Sequence, residues 1–145
     1  MAIEVMDLMD KGRKDLKREV VLNTKRFHTW VHVYREPGDK DDMHCHNADQ
    51  SFYVMDGECT MHFPDGGKAV LTPGMVALIH GGEFYQLENS GTGPMILMGN
   101  RSGPSEDIKH INYELRRDIK ELPREDRERI GKGGPVYVNQ PAQDG

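Results

Sequence analysis

The chain contains no run of about 18 apolar residues, the length a helix needs to cross a bilayer, so no membrane association is expected. Met1 to Leu8 carries acidic residues and no apolar core, so no signal peptide is expected either. Cysteine is scarce: Cys45 and Cys59 are the only two, neither lies in a zinc-binding spacing, and both are expected as reduced thiols in the cytoplasm. An excess of positive charge is also missing. The net charge is −5 and the pI about 5.8, which argues against general nucleic-acid binding. The basic residues that gather early (Lys11, Arg13, Lys14, Lys17, Arg18, Lys25 and Arg26) are interspersed with acids and read as a solvated segment. No phosphate-binding loop and no nucleophile elbow occurs. Gly131-Lys132-Gly133-Gly134 has the composition of the first without its spacing. Asn100-Arg101-Ser102 fits a glycosylation sequon, which has no meaning without secretion.

What is present fits one domain of 145 residues with a modest core, since 36% of residues are hydrophobic and 30% charged. Residues 21–100 read as closely spaced short strands. Phe27 to Tyr34 alternates Phe, Thr, Val, Val against His, Trp, His, Tyr, a period of two rich in strand formers. Shorter runs follow: Met43–His46, Ser51–Met55, Cys59–Phe63, Ala69–Leu71, Val76–Ile79, Phe84–Leu87 and Pro94–Met98. Turn residues separate them, among them Pro37-Gly38, Asp56-Gly57, Pro73-Gly74 and Gly81-Gly82. This pattern predicts an all-β antiparallel sandwich or barrel. Residues 1–20 read as an N-terminal extension and 101–145 as a C-terminal one. Ile108, Ile111, Leu115 and Ile119 are spaced three to four apart, which predicts a helix over Ser105–Leu122, ended by Pro123. Val136-Tyr137-Val138 could add a strand, and Asn139–Gly145 should be loose.

The most informative stretch is His44-Cys45-His46, followed by Gln50. Two imidazoles one residue apart on a strand share a face, with their Cα atoms about 7 Å apart. Two ring nitrogens can then converge on one metal ion, while Cys45 points the other way. Gln50 lies an even number of residues on, so a continuous strand turns it to the same side. Gln is an unusual choice where a carboxylate would bind a cation better.

Gly38, His44, His46 and Gly57, followed after a spacer by Gly74, Gly82 and Asn89, keep the spacing of two motifs. In this the chain resembles the cupin superfamily over roughly residues 27–98. Gln50 stands where the first motif has Glu. His80 replaces the Pro of the second motif, and Tyr85 replaces its His. The resemblance implies a single-domain jelly-roll barrel with a divalent metal inside, identity open among zinc, iron, nickel and manganese. Carried over by position, its ligands are His44, His46, Gln50 and Tyr85. It also implies a homodimer. Some cupins that act on sugar acids or cyclise polyketides are similar in having His, His and Gln with a further His.

Such a set carries no charge until the phenol ionises. A neutral Gln leaves more positive charge on the ion and makes it a stronger Lewis acid, whereas phenolate suits ferric iron. Tyr85 is either a ligand or a proton donor or acceptor. The less favoured reading makes His44 and His46 relics in a metal-free barrel. His80 reads as an exposed loop residue, His62 as a surface strand residue and His110 as a helix-surface one. Either face of Phe27–Tyr34 could be inward; if the histidine face is, His32 or Trp30 lines the pocket. The methionines at 43, 55, 61, 75, 95 and 98 read as fillers of barrel faces and an interface. Gly38, Gly57, Gly74 and Gly82 read as turn residues, and Asn89 as a side chain that closes a turn. The leading functional expectation is a metal-dependent enzyme of lyase or isomerase type on a small carboxylated or hydroxylated molecule. The runner-up is an iron-dependent dioxygenase, and the third a non-catalytic small-molecule binder.

Overall fold

Period-two alternation resolves into two facing antiparallel sheets. In the computed structural model, which describes residues 3–103 and 107–130, the first sheet runs β1 (Arg18–Asn23), β2 (Phe27–Tyr34), β9 (Met95–Ser102), β4 (Gln50–Asp56), β7 (Val76–Ile79). The second holds β6 (Lys68–Leu71), β5 (Cys59–His62) and β8 (Gln86–Asn89). It continues through a bridge between Tyr85 and His44 onto β3 (His44–His46) and β10 (His110–Asn112). All of these pairings are antiparallel. The arrangement is the all-β antiparallel barrel expected from the strand spacing, in the jelly-roll form that the cupin resemblance implies. Two short helices, α1 (Leu8–Gly12) and α2 (Arg124–Ile130), and a 3-10 turn at Ile119–Glu121 lie in the flanks.

The core between the sheets is built from the inward positions of each strand. Trp30, Phe52, Val54, Met61, Leu71, Ile79, Leu87, Met95 and Leu97 are buried in one cluster with Tyr34 and Tyr85. The open question of β2 is settled by what covers each side. His28, Trp30, His32 and Tyr34 face the interior, and Val31 and Val33 pack outward with Ile96 against Leu8 and Met9 of α1. Trp30 fits inside because Gly99 lies opposite it on β9, where a Cβ would overlap the indole ring. Thus both faces of β2 are occupied, and neither alternation alone nor composition alone decides its orientation.

The turn glycines behave as expected: Gly38, Gly57, Gly74 and Gly82 all have φ between 82° and 96°. At Gly57 a Cβ would also strike the Pro94 carbonyl. His80 is exposed. Of the methionines, Met61 and Met95 fill the core and Met55 packs outside it, but Met75 is 47% exposed. Of the helix expected over Ser105–Leu122, Ser105 and Glu106 lie outside the described residues, and no helix spans 107–122. The middle of that stretch is β10, paired with β3, followed by a turn in which Asn112 caps Leu115 and Arg116 takes a φ of 57°. The apolar spacing there arises from a strand and a turn, and the free edge of β3 outcompetes local helix propensity. Pro123 precedes α2 instead of ending a helix. In the N-terminal flank, Arg18 is not part of a free solvated segment: it opens β1, pairs with His32 and lines the interior cavity. Val136-Tyr137-Val138 and Asn139–Gly145 lie outside the described residues.

Asn89 ties the two ends of the barrel wall. Its amide donates to the carbonyls of Tyr34, Glu36 and Gly93 at 2.9–3.1 Å and its oxygen accepts from the Gly91 amide. Asn89 is 1% exposed, so removing the amide strands several buried carbonyls at about 1–3 kcal/mol. Asn89→Ala is therefore expected to lower Tm by several degrees in a thermal melt; an unchanged Tm would contradict this role.

Candidate metal centre

β3 carries His44 and His46 on its inner face, with Cys45 turned to the opposite side. β10 places His110 directly opposite His46 and Asn112 opposite His44. One ring nitrogen from each of His44, His46 and His110 lies within 4.8 Å of the others. His44 and His46 are thus brought together as expected, but their nearest imidazole partner is His110. Sequence reasoning placed this residue on a helix surface; it sits on a strand edge inside the site. The signal that could have found it is the alternation of His110 and Asn112 around the β-branched Ile111.

Hydrogen bonds fix which nitrogen of each ring is free. His44 Nδ1 is 2.7 Å from the Asp42 carbonyl and His46 Nδ1 is 2.7 Å from the Lys109 carbonyl. A carbonyl only accepts, so both rings carry their hydrogen on Nδ1 and leave Nε2 with its lone pair. His110 Nε2 is 2.9 and 3.0 Å from the two Asp42 carboxylate oxygens, so in its neutral form its lone pair is on Nδ1. This is the carboxylate–imidazole pairing that orients metal-binding histidines. Asp42 also accepts from Asn112 Nδ2 at 3.0 Å. Burial alone would push the Asp42 carboxyl up, but the hydrogen bonds from His110 and Asn112 and the nearby rings hold it below its ordinary value.

The His44 and His46 rings stay neutral at pH 7. Desolvation, aided by the neighbouring imidazoles, lowers His44 to about 4 and His46 to about 2. His32, on the facing wall, falls to about 3 through burial and then Arg18. Neutral imidazole is the form that binds metal. The rings of His44 and His46 cross at 87° with centroids 4.9 Å apart, whereas His110 stacks on His44 at 3.9 Å and 20°. Crossed rings can aim at one point; stacked rings aim side by side. The crossed rings of His44 and His46 suit a shared ion, whereas His110 would have to tilt on its Asp42 hydrogen bond to join them.

Gln50 and Tyr85 line the same cavity and are bonded to each other, Gln50 Nε2 donating to the Tyr85 hydroxyl at 2.9 Å. The Tyr85 ring lies 4.6 Å from that of His44. Burial, with Asp41 next, raises the Tyr85 phenol well above its ordinary pKa, so it remains protonated. The cavity measures about 1010 Å³, large enough for a small metabolite.

Comparison with known proteins agrees with the architecture. No curated protein matches the chain. Among solved structures, an uncharacterized conserved protein with a double-stranded β-helix domain from Klebsiella pneumoniae superposes with a TM-score of 0.64 at 22% identity, covering 74% of this chain and 96% of its own. A cupin-2 domain protein from Shewanella frigidimarina gives 0.56 at 18% identity, covering 68% and 94%. KdgF from a Halomonas species gives 0.56 at 20% identity, covering 62% and 80%. Identities this low speak to fold. The family model for the cupin domain matches residues 31–98, the stretch that holds both glycine-flanked motifs, and the fold is that of a cupin β-barrel.

Proposed function

We propose that this cupin binds a divalent metal through His44, His46 and His110, with Gln50 as a further neutral donor. In this reading it is an enzyme of lyase or isomerase type on a small carboxylated or hydroxylated molecule. The observation that carries the reading is the locked set of tautomers: three imidazoles whose other nitrogens are held by Asp42 and Lys109, facing a cavity. An ion there, with zinc, iron, nickel and manganese as candidates, would supply Lewis-acid polarisation of a bound carbonyl, carboxylate or hydroxyl.

The chain's own residues supply the rest. Tyr85 accepts from Gln50 and keeps its own hydrogen, so it serves as the proton donor to the substrate. Its raised pKa favours this role over ligation as phenolate. Phe52 and Leu87 exclude water from the inner wall. A dioxygenase has less support, because its usual ligand set needs a carboxylate and that of Asp42 is taken up by His110 and Asn112. The two free thiols, Cys45 and Cys59, are both buried and pushed up in pKa by burial, with Cys59 at about 12; this suits a reducing cytoplasm.

Elemental analysis of the purified protein is expected to find metal, and His110→Ala to lower metal affinity by about 10–100-fold or more. Tyr85→Phe should keep the metal and lose turnover. Metal near zero in the parent protein, unchanged by loading with zinc or nickel, would overturn the reading. Retention of ligand without turnover would favour a binding protein.

We further propose a homodimer through the outer face of the first sheet. α1 covers only part of that face. Tyr53, Val76 and Leu78 are left 37%, 65% and 63% exposed on the β4–β7 side. Light scattering should give twice the chain mass, and Leu78→Glu should shift it toward the monomer. A monomeric parent protein at high concentration would contradict this.

A further inference from the structure

The cavity wall opposite the histidine cluster carries polar groups that the proposed metal chemistry does not use. Arg101 lies on the inner face of β9, in register with Gln50 of β4. Its guanidinium carbon is 5.4 Å from the centre of the Trp30 ring. Arg18 of β1 approaches the same indole at 4.8 Å. Neither arginine has an acidic partner among the described residues. Two of the acids that line the cavity are engaged elsewhere. Asp41 accepts from the Tyr34 hydroxyl and the Leu87 amide, and Asp42 from His110 and Asn112.

Two buried side-chain donors on this wall have no hydrogen-bond partner among the described residues: Arg101 Nε and Trp30 Nε1. Trp30 is only 3% exposed. A buried donor without an acceptor costs about 1–3 kcal/mol, and natural proteins rarely leave one without a reason. Here two such donors occur together, beside a second guanidinium that repels the first. Burial, with Arg18 next, lowers the Arg101 pKa, which records that repulsion. An oxyanion would remove all three penalties at once. It would accept from Nε of Arg101 and from the indole N–H, and it would neutralise the arginine pair. The planar guanidinium fork suits a carboxylate in two-point contact.

We propose that Arg101, Arg18 and the Trp30 indole N–H form a carboxylate-binding subsite that holds a small organic acid against the wall facing His44 and His46. This rests on the proposed function for the far end of the substrate only. Arg101 stands opposite Gln50, which is bonded to Tyr85, so an acid held there would present its neighbouring hydroxyl or carbonyl to the histidine cluster and Tyr85. The substrate class is thereby narrowed to hydroxy or oxo acids, with the carboxylate on the arginines.

Trp30 is the only tryptophan in the chain, so its emission reports on the subsite directly. Chelator-treated protein is titrated at constant ionic strength with lactate and gluconate, with their uncharged counterparts propane-1,2-diol and sorbitol, and with inorganic phosphate. The carboxylates should give a saturable change in Trp30 emission and the polyols none. Arg101→Gln should weaken carboxylate binding roughly tenfold or more, while Arg101→Lys keeps part of it. Circular dichroism of both variants checks that the barrel is intact. Equal binding by the parent protein and a folded Arg101→Gln overturns the subsite, as does absence of any response to carboxylate. Tighter binding of phosphate than of either carboxylate overturns the choice of carboxylate. The titration needs no metal, so a protein that binds the acids but takes up no metal leaves the subsite standing and overturns only the metal reading.

Discussion

The site depends on the Asp42 carboxylate. It is 4% exposed and holds His110 Nε2, Asn112 Nδ2 and, through its backbone carbonyl, His44 Nδ1. These contacts do two things together. They pin the strand β10 to the barrel, and they decide which nitrogen of His44 and of His110 remains free. A buried carboxylate is costly unless its lone pairs are satisfied, and the two donors on it, His110 Nε2 and Asn112 Nδ2, meet that requirement. If the carboxylate were lost, β10 would lose its side-chain anchor to the barrel and the third imidazole its orientation.

Around this anchor the cavity is dry enough to keep its histidines neutral and polar enough to receive a small polar molecule. The same desolvation that lowers His32, His44 and His46 keeps the Tyr85 phenol protonated. The opposing wall is different in kind. Its arginines stay cationic, and two of its donors point at nothing in the described chain. A neutral nitrogen-rich pole and a cationic pole in one cavity is an arrangement that sorts a bifunctional ligand end for end.

Much of the barrel was legible in the sequence, because alternation and glycine turns are local signals. The β2 alternation, the His44 and His46 pair, the positive-φ glycines and the role of Asn89 could all be read from spacing. The rest was written in contacts distant along the chain. His110 lies more than sixty residues from His46, and its apolar neighbours imitate helical spacing. Arg18 sat in a run of charges that looks solvated until β1 pairs with β2. The inward face of β2 could not be chosen by pattern, since both faces are covered: one by α1 and the other by the barrel interior. Position in the motif suggested Tyr85 as a ligand, but the hydrogen bond from Gln50 and the burial that keeps it protonated are properties of the folded site.

The central claim is the tautomer pattern that Asp42 and Lys109 impose. Long-range nitrogen–proton NMR correlation of ¹⁵N-labelled, metal-free protein at pH 7 reads it ring by ring. Neutral His44 and His46 with the hydrogen on Nδ1, and hydrogen on Nε2 of His110, are the expected result. Hydrogen on Nε2 of His44 or His46, or either ring protonated at both nitrogens, would contradict it.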